Sequence, residues 1–283
     1  SEAFTVLEKR SDDSGALRAA LERRAEHLET VETKRAERLI EAKKELAENL
    51  AEGETVQALR NAVEIHTLAE DKRAILSDPG LQGLVASAEK TAKDAEARGA
   101  WLEAYELYYR LNLLFEQDRR YREPFERIGR RLVMLRLYVP ETLHDMRSAR
   151  LVAQDEDPLP AYNGLADDWG EKLEGVSQAM LIRALNRAER SHVDRVDLKS
   201  MLTRGLETLR TFVTTTELSS AFPSLTDARQ VARFIDAIEE MEDDLADQRG
   251  KAGYFELVGV LKGLNRANER TLKLPEEALL HEF

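Results

Sequence analysis

The feature that most constrains the fold is a stretch from Ser14 to Glu52 that is dense in Ala, Leu, Glu, Lys and Arg. These residues have the highest helix propensities. Capping side chains from Ser11 to Ser14 precede the stretch, and Gly53 ends it. Apolar side chains recur along it at intervals of three, four and seven residues: Leu17, Leu21, Leu28, Val31, Leu39, Leu46 and Leu50. The stretch therefore predicts one long helix with a single narrow apolar stripe on a charged rod.

Two arrangements can bury that stripe. The favoured one is a solvated helix that lies along a neighbouring helix of the same chain. The alternative is a dimeric coiled coil, which the imperfect heptad spacing makes less favourable.

The remainder of the chain also predicts helices, because strand-like alternation is nowhere sustained. Only 14 Gly and 7 Pro occur in 283 residues, and 34% of the residues are charged. We expect an all-α fold, an irregular array of antiparallel helical hairpins without a sheet. Further helices are predicted at about 55–76, 81–98, 101–118, 121–139, 140–154, 169–192, 196–213, 227–249, 254–272 and 275–283.

A helical hairpin at about 81–118 contains the sequence "ARGAWLEAYELYYRLNLLFEQ". Its small residues, Gly turn and following aromatic residues resemble one tetratricopeptide hairpin. No second copy follows at a spacing of about 34 residues, so a regular solenoid is not expected. The four aromatic residues are expected to pack between helices, and they form a partner-binding surface only if they are exposed: Trp101, Tyr105, Tyr108 and Tyr109.

The sequence "DEDPLPAYNGLADD" interrupts the helical periodicity with two Pro, one Gly and five acidic residues. We therefore predict an acidic linker at 155–167 between an N-terminal helical subdomain, 1–154, and a C-terminal one, 168–283.

The charge and composition exclude several partner classes. A net charge of −12 gives no broad attraction to nucleic acid or anionic membranes. The absence of Cys removes disulfides, thiolate nucleophiles and cysteine-ligated metals. No apolar run approaches the roughly 20 residues of a membrane-spanning helix, so membrane insertion is not expected.

One cluster of residues has the composition of a catalytic triad: Ser191, His192, Asp194 and Asp197. A triad needs side chains that converge from separated segments, together with an oxyanion hole, and neighbours in one helix turn rarely share a common centre. We expect instead a joint between two helices, with 192–196 as the turn and Asp197 as the cap of the next helix.

Two E-x-x-H pairs suggest a four-helix carboxylate site for two metal ions, as a weak alternative: Glu141 with His144, and Glu189 with His192. In such sites the ligands project inward from the middle of helices. Here Glu141 follows Pro140 at a predicted helix start, whereas His192 lies at a predicted helix end. We therefore predict no metal site, no cofactor and no active site in this chain.

The segment "MLIRALNRAERSHVDRVDLKSMLTRGLETL" resembles the helical lead-in of bacterial carboxyl-terminal processing proteases, the S41 serine peptidases. The residues that carry the match are His192, Val193, Asp194, Val196, Asp197, Leu198, Met201, Leu202, Gly205 and Leu206. The segment "LNRANERTLKLPEEALLHEF" is similar to the helical run before the protease core in large members of that family. The resemblance covers about 165–283, and the catalytic Ser and Lys and the PDZ domain of the family have no counterpart here.

The resemblance implies a non-catalytic N-terminal region that serves dimerisation, docking or substrate delivery, in the periplasm or cell envelope. The expected partner is a protein, a peptide or a second copy of the chain. The alternative is a free-standing helical adaptor that binds a partner peptide.

Overall fold

The computed structural model describes residues 14–165, 167–191, 197–248 and 250–283. These residues form helices without a strand, so the predicted all-α class is confirmed for this part of the chain. The α-helices of the first part are α1 Ser14–Glu52, α2 Thr55–Leu68, α3 Lys72–Leu76, α4 Pro79–Ala97, α5 Trp101–Leu114, α6 Arg122–Tyr138 and α7 Pro140–Ala153. Those that follow are α8 Trp169–Leu173, α9 Gln178–Ser191, α10 Leu198–Val213, α11 Ala228–Asp247, α12 Tyr254–Arg270 and α13 Glu276–Glu282. Two 3₁₀ helices, Thr216–Ser220 and Pro223–Thr226, lie between α10 and α11.

The described chain divides into two compact units. Unit 1 contains residues up to Gly99 together with 106–122, and unit 2 contains 100–105 together with 123–283. The predicted linker at 155–167 does interrupt the helices, but it lies within unit 2. The reason is that the elements on its two sides share one core, in which the rings of Tyr138 and Trp169 lie 5.5 Å apart. The compact units therefore divide at a different place from the predicted linker.

Unit 1 is built on the packing of α1 against α2 and of α2 against α4. Gly53, at φ +77°, turns the chain between α1 and α2 in a conformation that favours glycine. The predicted helix at 55–76 is wrong in one respect, since it is two helices. Ala69 is extended, and the Asp71 side chain accepts hydrogen bonds from the backbone N–H groups of Arg73 and Ala74, which starts α3 anew.

Unit 2 has α10 at its centre, in contact with α9, α11, α12 and α13. An aromatic cluster of Tyr138, Trp169, Phe212 and Phe222 forms part of its core, with ring centroids 5.1–5.5 Å apart. The predicted helix at 169–192 is divided into α8 and α9, and Gly175 takes φ +83° in the turn between them. The predicted connector after α10 contains the two 3₁₀ helices.

Candidate interaction surfaces

The two halves of α1 differ in what covers them. From Arg35 onward one face of α1 is partly or fully buried, and Ala42 is completely buried. The Arg35 Nε donates a hydrogen bond of 2.7 Å to the backbone carbonyl of Leu68, the last residue of α2. Arg35 therefore lies at the level where the cover provided by α2 ends.

A polar network joins the covered half of α1 to α2. The Arg38 guanidinium donates two hydrogen bonds to the Glu64 carboxylate, of 2.6 and 2.7 Å, and a third of 3.0 Å to Glu45. Asn61 donates to Glu45 at 2.6 Å and accepts from Asn49 at 2.8 Å. Hydrogen bonding to Arg38 lowers the pKa of the Glu64 carboxyl below its ordinary value. The α1–α2 packing is thus fixed by paired polar groups as well as by apolar contacts.

The first half of α1 has no such cover. Every residue from 22 to 34 is exposed, and Leu28 retains 56% of its accessible surface. The exposed half continues the stripe that α2 covers further along, because the spacing of threes and fours keeps these residues on one side of the helix. We call this surface the exposed α1 face and define it by Leu17, Leu28 and Val31, which are exposed, together with Leu21, which is partly buried.

A second surface is a groove between α11 and α12 in unit 2, with a volume of about 750 Å³. Gly259, Gly263 and Ala267 share one side of α12 at a spacing of four residues and line the groove. Phe255, another lining residue, is 85% exposed. We call this surface the glycine groove. The spacing of Gly259, Gly263 and Ala267 is visible in the sequence, and it is the signal that the sequence analysis missed.

The four aromatic residues predicted for a partner surface do not lie together on one. Trp101 and Tyr108 are buried, Tyr105 is partly buried, and Tyr109 is exposed. Tyr105 packs against Phe125 with ring centroids 5.2 Å apart. Since a buried ring cannot contact a peptide, Trp101 and Tyr108 are packing residues in this conformation.

Trp101 belongs to a buried polar network in unit 2. Its Nε1 donates a hydrogen bond of 2.8 Å to Glu217, and the Arg131 guanidinium lies over its ring at 4.6 Å. Arg131 also donates to the hydroxyls of Thr215, at 2.7 Å, and Thr214, at 3.0 Å. The ring thereby serves the internal structure of the unit, as its helical spacing predicts.

The weak metal candidates are not brought together by the described residues. Glu141 is exposed at the start of α7, and Glu189 lies near the end of α9. The His144 Nε2 lies 2.9 Å from the carbonyl oxygen of Pro160. His192 lies outside the described residues. Within the described ranges, no three or more His, Asp and Glu side chains are grouped so that they could hold a metal ion.

Of the cluster from Ser191 to Asp197, the structure describes only Ser191 and Asp197. Asp197 is the cap of α10, as predicted, because its side chain accepts a hydrogen bond of 2.8 Å from the backbone N–H of Ser200. His192 and Asp194 fall outside the described residues. The helix joint is therefore confirmed at Asp197.

A buried carboxyl lies in the last helix of unit 2. Burial raises the pKa of Glu282 to about 7, and the neighbouring Tyr138 hydroxyl partly offsets this increase. The His281 Nε2 lies 3.9 Å from the Glu282 carboxylate. On α10, a methyl group at Gly205 would lie 2.5 Å from the carbonyl oxygen of Phe283, so the glycine permits the close approach of α13. These contacts hold α13 in place.

No helix among the described residues is both long enough and apolar enough to cross a membrane. Comparisons with protein-family models, curated proteins and solved structures give no match for this chain. The function of the chain is therefore inferred from the geometry of the exposed α1 face and the glycine groove.

Proposed function

We propose that the chain is a non-catalytic helical assembly module that associates with protein through the exposed α1 face. The observation that carries this proposal is the difference in cover between the two halves of α1. One side of the helix packs on α2 from Arg35 onward, and the same side presents Leu28 and Val31 to solvent before it. An apolar stripe with half its length uncovered is typical of a helix that receives a partner.

The test is a comparison of two variants of the full chain. Leu28→Glu places a charge in the exposed α1 face. Ile40→Glu places the same charge on α1 at a residue that is 71% exposed and lies about 120° around the helix from Leu28. Chemical crosslinking in cells, quantified by mass spectrometry, should recover a protein with the wild type and Ile40→Glu and lose it with Leu28→Glu. That protein can be a second copy of the chain or another one. Equal recovery with both variants would overturn the proposal.

We also propose that this module is the helical N-terminal region of a carboxyl-terminal processing protease. The support is the resemblance of 165–283 to the helical lead-in of that family. The capping by Asp197 and the close packing at Gly205 give two of the matching residues a structural role. The sequence encoded after Phe283 tests this context directly. A PDZ domain followed by a serine-lysine core would support it, and an unrelated domain would contradict it.

The second candidate function is an adaptor that binds a helical peptide in the glycine groove. The observation in its favour is the 85% exposure of Phe255 beside a groove of about 750 Å³. Glycines allow a partner backbone to approach closely, and an aromatic side chain at the edge supplies apolar contact. Gly259→Leu places an apolar side chain in the groove, and its Cβ meets nothing within 4 Å. Crosslinks that disappear with Gly259→Leu and persist with Leu28→Glu would favour this candidate.

A further inference from the structure

We propose that the partner of the exposed α1 face is the same face of a second copy of the chain, and that the two helices pair antiparallel. This inference rests on the proposed function and names its partner and orientation. Residues 14–34 offer 21 residues for the pairing, which corresponds to about 30 Å of helix. This length is three heptads.

The first argument is the continuity of the stripe. The seam that packs on α2 uses Leu39, Ala42 and Leu46, which are partly or fully buried. The exposed half presents Leu21 and Leu28 on the same side of α1 at the same spacing. The exposed half has the same apolar spacing as the half that packs against α2, and this spacing suits packing against a second helix. The natural partner is therefore a helix rather than an extended peptide.

The second argument is the distribution of charge along the segment. Residues 17–24 contain three Arg and one Glu, for a net charge of +2, whereas residues 25–34 contain three Glu and one Lys, for a net charge of −2. Antiparallel pairing places the basic half of one copy opposite the acidic half of the other. Arg18 and Glu32 lie on the same flank of the stripe, so each Arg18 then faces the acidic flank of the second helix. Complementary charge at the flanks sets the partner and the orientation in coiled coils.

Sedimentation velocity of the purified chain over a hundredfold range of concentration tests the association. We expect a dimer that dissociates on dilution, is lost in Leu28→Glu and persists in Ile40→Glu. A monomer throughout the range, or a dimer that Leu28→Glu leaves intact, would overturn the inference. Crosslinks in cells to a different protein that still depend on Leu28 would show that the proposed function survives without self-association.

The absence of Cys allows a single label to measure the orientation. Gly15→Cys is an exposed site near the start of α1 with nothing within 4 Å of the added Cβ, so a nitroxide label fits there. Pulsed electron spin resonance on the dimer should give a distance longer than about 20 Å between the two labels, because the antiparallel overlap separates these ends along the helix axis. A distance of about 10 Å, as for two helices side by side in parallel, would contradict the orientation.

Discussion

The first and last described helices of the chain differ in how they are held. Helix α1 has 39 residues and leaves half of its length uncovered, whereas α13 has 7 residues and buries Ala278, Leu279 and Leu280 almost completely. An isolated helix shorter than about 12 residues is marginal in water, so α13 is stable only because α8 and α10 cover it. The first half of α1 is thus helical as the continuation of a long helix whose second half is packed, whereas the short α13 is helical because it is buried.

The largest expected effect is the difference in stability between truncating a buried leucine of α2 and truncating an exposed leucine of α1, both in unit 1. Leu59 on α2 is completely buried, and Leu28 on α1 is 56% exposed. We expect Leu59→Ala to lower the free energy of unfolding by about 2–4 kcal/mol, since it leaves a cavity in a packed core. Leu28→Ala should change it by less than about 0.5 kcal/mol at concentrations where the chain is monomeric. Urea unfolding followed by circular dichroism measures both. Equal losses would show that the first half of α1 is covered.

The buried carboxyl of Glu282 should make α13 sensitive to pH. Its pKa is raised from 4.5 to about 7 by burial, so between these values the folded chain keeps a proton that the unfolded chain releases. The stabilisation from this proton is complete below pH 4.5 and is lost as the pH rises through 7. Glu282→Gln keeps the neutral shape at every pH. Relative to the wild type it should therefore gain on the order of 3 kcal/mol between pH 4.5 and 8.

Urea unfolding of both proteins at several pH values measures this difference. His281 and Tyr138 are the titratable groups that face the Glu282 carboxyl, so His281→Gln is the matched control. The control should leave the direction of the pH dependence unchanged. A constant difference between Glu282→Gln and the wild type from pH 4.5 to 8 would show that the carboxyl is ionised in the folded chain.

The contact between Gly205 and Phe283 gives a second test of how α13 is held. A Cβ at position 205 would lie 2.5 Å from a backbone carbonyl oxygen and 2.9 Å from the Phe283 ring, so Gly205→Ala must displace α13. We expect a loss of about 1–3 kcal/mol and faster hydrogen exchange at the amides of Leu279 and Leu280. Gly259→Ala on α12 is the control, because its Cβ meets nothing within 4 Å and alanine favours the helix. Unchanged exchange in Gly205→Ala would contradict the packing of α13 on α10.

Much of the fold follows from local sequence signals. The propensity of 14–52 and the turn residue Gly53 predict α1 to its last residue, and the capping aspartate Asp197 predicts the start of α10. The breaks inside the predicted helices at 55–76 and 169–192 were missed. Both breaks depend on single residues, the Asp71 cap and the positive φ of Gly175, within sequences whose apolar spacing continues across them. Periodicity detects a helical face, and it does not detect a short interruption of the axis.

The candidate surfaces were predictable only in part. The apolar stripe of α1 is evident in the sequence, but the point at which α2 ceases to cover it depends on where α2 ends. The role of Trp101 could not be predicted from its spacing, because an aromatic residue has the same helical spacing whether it packs in the core or binds a partner. Its burial against Arg131 follows from contacts with residues distant in sequence, which no local pattern reports.

The smallest expected effect concerns the ion pair at the covered half of α1, and its pH dependence is opposite to that of Glu282. Hydrogen bonding to Arg38 lowers the pKa of Glu64 below 4.5, so its stabilisation is present above that pH and is lost as the pH falls through the folded value. Glu64→Gln should cost less than about 1 kcal/mol at pH 7, as expected of a partly exposed pair, and this cost should shrink at pH 3.5. Glu26→Gln, in the exposed half of α1, should have no measurable cost in urea unfolding of the monomer at either pH. A cost for Glu64→Gln that is the same at both pH values would show that Arg38 stabilises α1 against α2 through its packing rather than through its charge.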